Sequence, residues 1–185
     1  MALLHLVRHG HAEAGWGAHR DPDLDQQGRT EAENRAAALA ELLTPCRLIS
    51  SPLARALQTA APLAQRWDRD VEVVPALGEI PSPSTDLAER QAWLSGALQG
   101  RWGDLDESVA RWRHGLVDAV GATSVDTVAF THFVAINAAV GSVTGACSIV
   151  AFLPATASVT TLEVDAGTGS VEIVALGDES APQVG

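Results

Sequence analysis

Short apolar runs that favour strands alternate along this chain with longer stretches of helical pattern, and polar residues gather where the runs stop. Leu3-Leu4-His5-Leu6-Val7 stops at Arg8-His9-Gly10, and Arg47-Leu48-Ile49-Ser50 stops at Ser51-Pro52. Val71–Val74 leads to Leu77-Gly78-Glu79-Ile80, and Asp126–Thr131 leads to His132. Between the runs, Gln26–Leu43 carries apolar residues at helical spacing, with Asp25 as its N-cap and Pro45 closing it. A second helix is predicted from Pro52, at a first-turn position, to about Trp67. A third is predicted over Val134–Val143. This alternation predicts an α/β fold, a three-layer αβα sandwich with a largely parallel sheet. Ligands of such sheets bind beyond the carboxyl ends of the strands. Chain order alone therefore predicts that Arg8, His9, Glu79, His132 and the helix turn with Arg55 converge.

Two further helices are predicted near Asp86–Leu98 and Leu105–Val120, and strands near Ile149–Leu153, Val159–Val164 and Val171–Leu176. Gly167-Thr168-Gly169 is the predicted hairpin turn between the last two. At roughly 100–200 residues per domain, 185 residues make one domain, 1–185, with a small helical cap segment at about 80–123.

The charge balance removes several function classes. The twelve basic residues are all arginine, against 23 Asp and Glu, for a net charge of -11. Without lysine there is no Schiff-base chemistry and no Walker-type phosphate loop. The negative charge argues against nucleic acid and against an anionic membrane surface as partners. Cys46 and Cys147 form no disulfide framework and fit a reducing, cytoplasmic setting. The first apolar run is too short for a signal peptide core or a membrane span.

Four segments together resemble the histidine phosphatase (phosphoglycerate mutase-like) superfamily, branch 1. They are Leu6-Val7-Arg8-His9-Gly10, Asp25-Gln26-Gln27-Gly28-Arg29, Ser50 to Ala60 with Arg55 at its centre, and Val128-Ala129-Phe130-Thr131-His132. Ser158-Val159-Thr160 fits a late strand of the same family. The segments occur in the family's order and span about the whole chain.

The resemblance implies a phosphoglycerate mutase-like fold and a metal-independent phosphomonoester hydrolase with no cofactor. It implies that His9 attacks phosphorus and becomes phosphohistidine, with its other ring nitrogen held by a backbone carbonyl. Arg8 and Arg55 would supply planar forks for phosphate oxygens. His132, as a cation, would add a donor, and Glu79 would protonate the leaving group and then activate water. Burial near phosphate would raise the Glu79 pKa and nearby arginines would lower it. The implied substrate is a small phosphate ester; a protein partner is unknown.

Departures from the family pattern leave alternatives. The family often has glutamine after Arg-His-Gly and a phosphate-touching asparagine four residues later; His11 and Gly15 stand there. Arg-His-Gly-x-Ala is closer to small bacterial phosphohistidine phosphatases, which makes a phosphorelay phosphatase the main alternative. A cofactor-dependent mutase and an inactive phosphate-binding module are the others. Phe133 replaces the usual glycine after the second histidine and is expected to narrow the pocket. His11 either lines the site or is a loop histidine. A metal pair at His9-x-His11 would call for a barrel of about 250 residues with further ligands. Trp16, His19, Arg20, Arg90, Trp93, Arg101, Trp102, Arg111 and Trp112 could shape the mouth, although core packing suits most of the tryptophans and solvated faces most of the arginines.

Overall fold

The computed structural model describes residues 1–13 and 19–180. Gly15 and Trp16 lie outside the described residues. The strands are β1 (Ala2–Arg8), β2 (Arg47–Ser50), β3 (Val71–Val73), β4 (Thr127–Thr131), β5 (Val159–Val164) and β6 (Val171–Ala175). The helices are α1 (Gln26–Leu42), α2 (Ala54–Trp67), α3 (Leu87–Ala97), α4 (Glu107–Gly121) and α5 (Phe133–Thr144). The strands form one six-stranded sheet in the order β3-β2-β4-β1-β5-β6. The first four in that order are parallel, and β5 and β6 join antiparallel. The α/β sandwich with a mostly parallel sheet is therefore as the alternation predicts.

Strand periodicity sorts the core onto two faces. Leu4, Leu6, Ile49 and Ala129 meet Leu94, Val109, Leu116 and Ile136 from α3, α4 and α5. Val7, Leu48, Val128 and Phe130 meet Ala36, Leu39, Ala60 and Leu63 from α1 and α2. All five residues of β4 are buried, as expected of a central parallel strand covered on both sides. The segment 80–123 thus contributes Leu94, Val109 and Leu116 to the same core as β1.

Local chemistry sets the helix starts. Asp25 accepts from the Gly28 N–H and caps α1. Asp86 and Asp106 cap α3 and α4 in the same way. α2 begins at Ala54, later than the expected start at Pro52. Ser51 Oγ takes the Leu53 N–H, and the Asp21 carboxylate takes the Ala54 N–H at 2.9 and 3.0 Å, so the first free amides are satisfied without another helical turn. The expected strand at Ile149–Leu153 is irregular backbone. Asn137 Oδ1 accepts from the N–H of Ala151 and Phe152, replacing the ladder that a strand would need. The β5–β6 hairpin turns at Gly169, whose φ of 72° needs a glycine.

Candidate active site

The carboxyl ends of β1, β2 and β4 lie side by side, and the sheet register brings the two histidines together. Arg8 pairs with Thr131 across β1 and β4. The His9 N–H then donates to Thr131 O at 2.9 Å, and the Ser51 N–H donates to Phe130 O at 2.9 Å. The His9 and His132 rings sit with centroids 5.2 Å apart. His9, Arg55, Glu79 and His132 are 7, 5, 8 and 0 % exposed, so the charged and titratable groups here are removed from water.

The protonation of His9 follows from its two contacts. Nδ1 lies 2.7 Å from Gly10 O, which can only accept, so Nδ1 carries the ring proton. Arg55 Nε donates to Nε2 over 3.1 Å, which requires a lone pair there. Burial, with Arg55 and Arg8 nearby, drops the His9 pKa to about 3. His9 is therefore a neutral imidazole with its lone pair on Nε2.

His132 is neutral as well. Burial, then Arg55, His9 and Arg8, hold its pKa well below the usual histidine value. Desolvation and these three neighbours work against the cation that the resemblance implies. Its Nε2 is 2.7 Å from Ser51 Oγ. That oxygen already accepts the Leu53 N–H, and His132 Nε2 is the one acceptor for its hydroxyl proton among the described contacts. Ser51 therefore donates, and His132 Nδ1 carries the proton. Nδ1 is buried without a partner, as is Nε of Arg8. Two buried donors without acceptors fit an incoming anion.

Arg8 is aimed by its surroundings. Its Nη1 donates to Pro154 O at 2.7 Å and its guanidinium lies 5.1 Å from the Phe133 ring centroid. Phe133 thus serves Arg8 as a cation–π platform. Thr59 Oγ1 donates to Arg55 O and accepts the Gly10 N–H, which ties the helix turn to the end of β1.

Glu79 reaches the site through a short 3-10 turn, Pro75–Leu77, that follows β3. Thr131 Oγ1 donates to Leu77 O and Trp112 Nε1 donates to Gly78 O, which pin this turn against β4. The carboxylate takes the Ile80 N–H at 2.9 Å and faces the Val134 N–H at 3.5 Å. Desolvation outweighs these bonds and the pull of Arg55 and Arg8, and raises its pKa above the usual glutamate value.

A cavity at this place is lined by His9, Ala12, His19, Arg20, Pro22, Arg55 and Arg90. A larger groove, about 640 Å³, opens near the amino ends of β2 and β3 between Cys46, Arg47, Asp70 and Glu72. It holds none of the convergent buried groups described above. His11 does not line the small cavity: its ring is half exposed and sits 2.5 Å from Asp25 Oδ2. Of the candidate mouth residues, His19, Arg20 and Arg90 line the cavity, whereas Trp93, Trp102 and Trp112 pack on the core. Arg111 pairs with Glu107 on the surface of α4. Sequence reasoning missed Asp21, which faces Arg55 Nη1 at 3.4 Å, and the role of Trp112 under Glu79. Neither has a local pattern that would single it out. Among the described residues no group of three or more His, Cys, Asp or Glu stands close enough to hold a metal. No helix among them is long and apolar enough to cross a membrane.

Several known proteins are similar to this chain. A curated 2,3-bisphosphoglycerate-dependent phosphoglycerate mutase from Xanthobacter autotrophicus is 31% identical over 137 residues, which are 70% of this chain. The match spans 64% of that relative's length. Phosphoserine phosphatase from Entamoeba histolytica, solved with 3-phosphoglyceric acid, superposes with a TM-score of 0.75 at 21% identity, covering 96% of this chain and 98% of that one. Mycobacterial glucosyl-3-phosphoglycerate phosphatase, solved with VO3, gives 0.71 at 22% identity, covering 97% and 100%. These neighbours share the phosphoglycerate mutase-like fold. The family model of the histidine phosphatase superfamily (branch 1) matches residues 4–177, and the chain belongs to that family.

Proposed function

We propose that this protein is a metal-independent, cytoplasmic phosphomonoesterase that acts on small phosphate esters through phosphohistidine at His9. One observation carries the reading: a buried, neutral His9 whose tautomer is fixed by Gly10 O presents its Nε2 lone pair beside Arg55. In the first step Nε2 attacks phosphorus, the P–O bond to the alcohol breaks, and the leaving oxygen takes the proton of Glu79. Burial, which raises the Glu79 pKa, favours the protonated form needed for this step. Arg8, Arg55 and the His132 Nδ1–H donate to the equatorial oxygens, where charge accumulates. In the second step water attacks phosphorus, ionised Glu79 takes its proton, and the P–N bond breaks. Inorganic phosphate leaves and His9 regains its lone pair. The segment 80–123 forms the rim through Arg90.

The test is phosphate release from p-nitrophenyl phosphate by the wild type and by His9→Ala. Wild-type turnover that survives a chelator and is lost in the variant is expected, with an acid-labile, alkali-stable phosphoenzyme. Full activity in His9→Ala overturns the proposal.

A mutase reading has one observation in its favour, the similarity to the Xanthobacter mutase. Conversion of 3- to 2-phosphoglycerate, primed with the bisphosphate, would establish it in place of hydrolysis. The Arg-His-Gly-x-Ala sequence keeps a phosphorelay phosphatase as the remaining alternative, read by phosphate release from a phosphorylated His domain.

A further inference from the structure

At the end of α5 away from His132 lies a second cavity, of about 440 Å³. Twelve helical residues, about 18 Å, separate it from the reactive histidines. Its walls include Arg101, Trp102 and Asp104 from a short 3-10 turn, Arg113 from α4, and Ser142 and Gly145 from the end of α5. Arg101, a candidate for the catalytic mouth, lies here instead. The backbone holds the turn in place: the Trp102 N–H donates to Cys147 O at 2.9 Å, and the Ile149 N–H donates to Gly100 O at 3.2 Å.

One side of this cavity offers only donors. Trp102 is 9 % exposed, and its Nε1–H has no acceptor among the described residues. It faces Gly141 in the cavity wall, where a Cβ would stand 3.5 Å away. The Arg113 guanidinium stacks on the Trp102 ring at 4.6 Å, and its buried Nε has no acceptor either. Burial lowers the Arg113 pKa, against a smaller upward pull from Cys147. Indole and guanidinium N–H groups can only donate, so their match is an acceptor, and a carboxylate suits the guanidinium fork.

The other side has the opposite sign. α5 ends at Gly145, whose φ of 70° closes the helix. The last carbonyls of a helix have no partner within it and carry the negative end of its dipole. Asp104 adds a carboxylate. Asp104 shares the cavity with Arg101 and Arg113, yet none of the three forms an ion pair among the described residues. Opposite charges that line one cavity without meeting leave space for a ligand that carries both signs. A simple anion would face Asp104 and the negative end of α5, and a simple cation would face the two arginines.

We propose that this cavity binds a small zwitterion of the α-amino-acid class. Its carboxylate takes N–H groups of Arg113 and Trp102, and its ammonium donates to Asp104 and the terminal carbonyls of α5. The site stands apart from the phosphatase reading, because none of its residues belongs to the centre around His9.

Calorimetric titration of the full chain with the common α-amino acids tests this. Each is compared with the carboxylic acid that lacks its amino group and with the amine that lacks its carboxylate. At least one amino acid is expected to bind about tenfold more tightly than both of these relatives, the scale of one charge-assisted hydrogen bond. The Trp102 indole N–H signal, assigned by its loss in Trp102→Phe, is expected to shift as that amino acid saturates the wild type. Arg113→Met and Asp104→Asn are each expected to weaken binding about tenfold or more. Asp104 is exposed, so its variant reads the ligand contact without disturbing the core. No binding by any amino acid of the panel overturns the proposal, as does a parent carboxylic acid that binds as tightly as its amino acid. Binding that leaves the Trp102 signal unmoved, or that survives both substitutions, overturns it as well. If Arg113 only braces Trp102, Arg113→Met lowers the melting temperature and Asp104→Asn leaves affinity unchanged, which equally rules the site out.

Discussion

Arg55 Nε donates to His9 Nε2 across 3.1 Å, so the guanidinium that would hold phosphate also covers the lone pair that would attack it. A phosphoryl group must take over this donor as it arrives, which couples binding to exposure of the nucleophile. Lysine cannot copy a planar fork that reaches both atoms. Arg55→Lys is expected to lower kcat/KM on p-nitrophenyl phosphate by about 100-fold or more, the scale for removing one preorganised donor. Steady-state kinetics beside a melting curve would separate this from unfolding.

Glu79→Gln keeps the shape and removes the proton donor. Alkyl phosphates need their leaving oxygen protonated more than aryl phosphates do. The variant should lose about tenfold more activity on glycerol 3-phosphate than on p-nitrophenyl phosphate. In the wild type, activity on the alkyl ester should fall as pH rises through the raised pKa of Glu79. This alkaline limb should vanish in Glu79→Gln. Equal losses on both esters would remove Glu79 from the acid role.

Stability should fall on the acid side of neutrality because His9 and His132 are held neutral in the fold. Their folded pKa values lie below the unfolded value near 6.5, so the contribution is present above that pH. For His9 it is lost as pH drops from 6.5 towards about 3. At pH 5.5 the loss from His9 alone is about 1 kcal/mol. Urea unfolding at pH 7.5 and 5.5 should show a smaller difference for His9→Gln than for the wild type.

Ser51 sets which nitrogen of His132 carries the proton. In Ser51→Ala that donor is gone, and the Leu53 N–H loses its acceptor, at a cost of about 1 kcal/mol. Nitrogen chemical shifts of His132 should then lose the Nδ1–H signature, and kcat should fall. Ser51→Thr, which keeps the hydroxyl, should restore both. An unchanged tautomer in the alanine variant would contradict this assignment.

Gly28 touches the loop that leaves β1. A Cβ there would stand 1.9 Å from His11 O, and one at Gly10 would stand 2.6 Å from Gly28 O. Backbone would have to move in either case. Gly28→Ala is expected to destabilise by about 3 kcal/mol and to disturb His9 as well. A shifted urea midpoint with an unchanged slope, together with reduced turnover, would bear this out.

Elements whose cause is local were legible before the fold was known. β1, β2 and β4 follow apolar runs, β5 follows an alternating pattern, and Asp25 reads as a cap because its acceptor lies three residues before Gly28. What depends on distant neighbours was not legible. The competition over the Glu79 proton turns on burial by elements far along the chain, and the charge of His132 turns on burial first and then on Arg55, His9 and Arg8. The irregular path at 149–153 depends on the single side chain of Asn137, and the late start of α2 depends on Asp21. His11 stood as an open choice, and its outward contact with Asp25 comes from how the loop returns to α1.

The register of β1 against β4 carries a consequence for how such a site can change. Neighbouring strands lie about 4.8 Å apart, and the two imidazoles, each just past its strand, lie 5.2 Å apart. Backbone hydrogen bonding therefore acts as the ruler for the histidine pair. Residues in the rim can be exchanged without altering that gauge, so selectivity can drift while the reactive distance stays constant. A slip of one residue between the two strands would instead turn one ring to the opposite face and disable the centre in a single step.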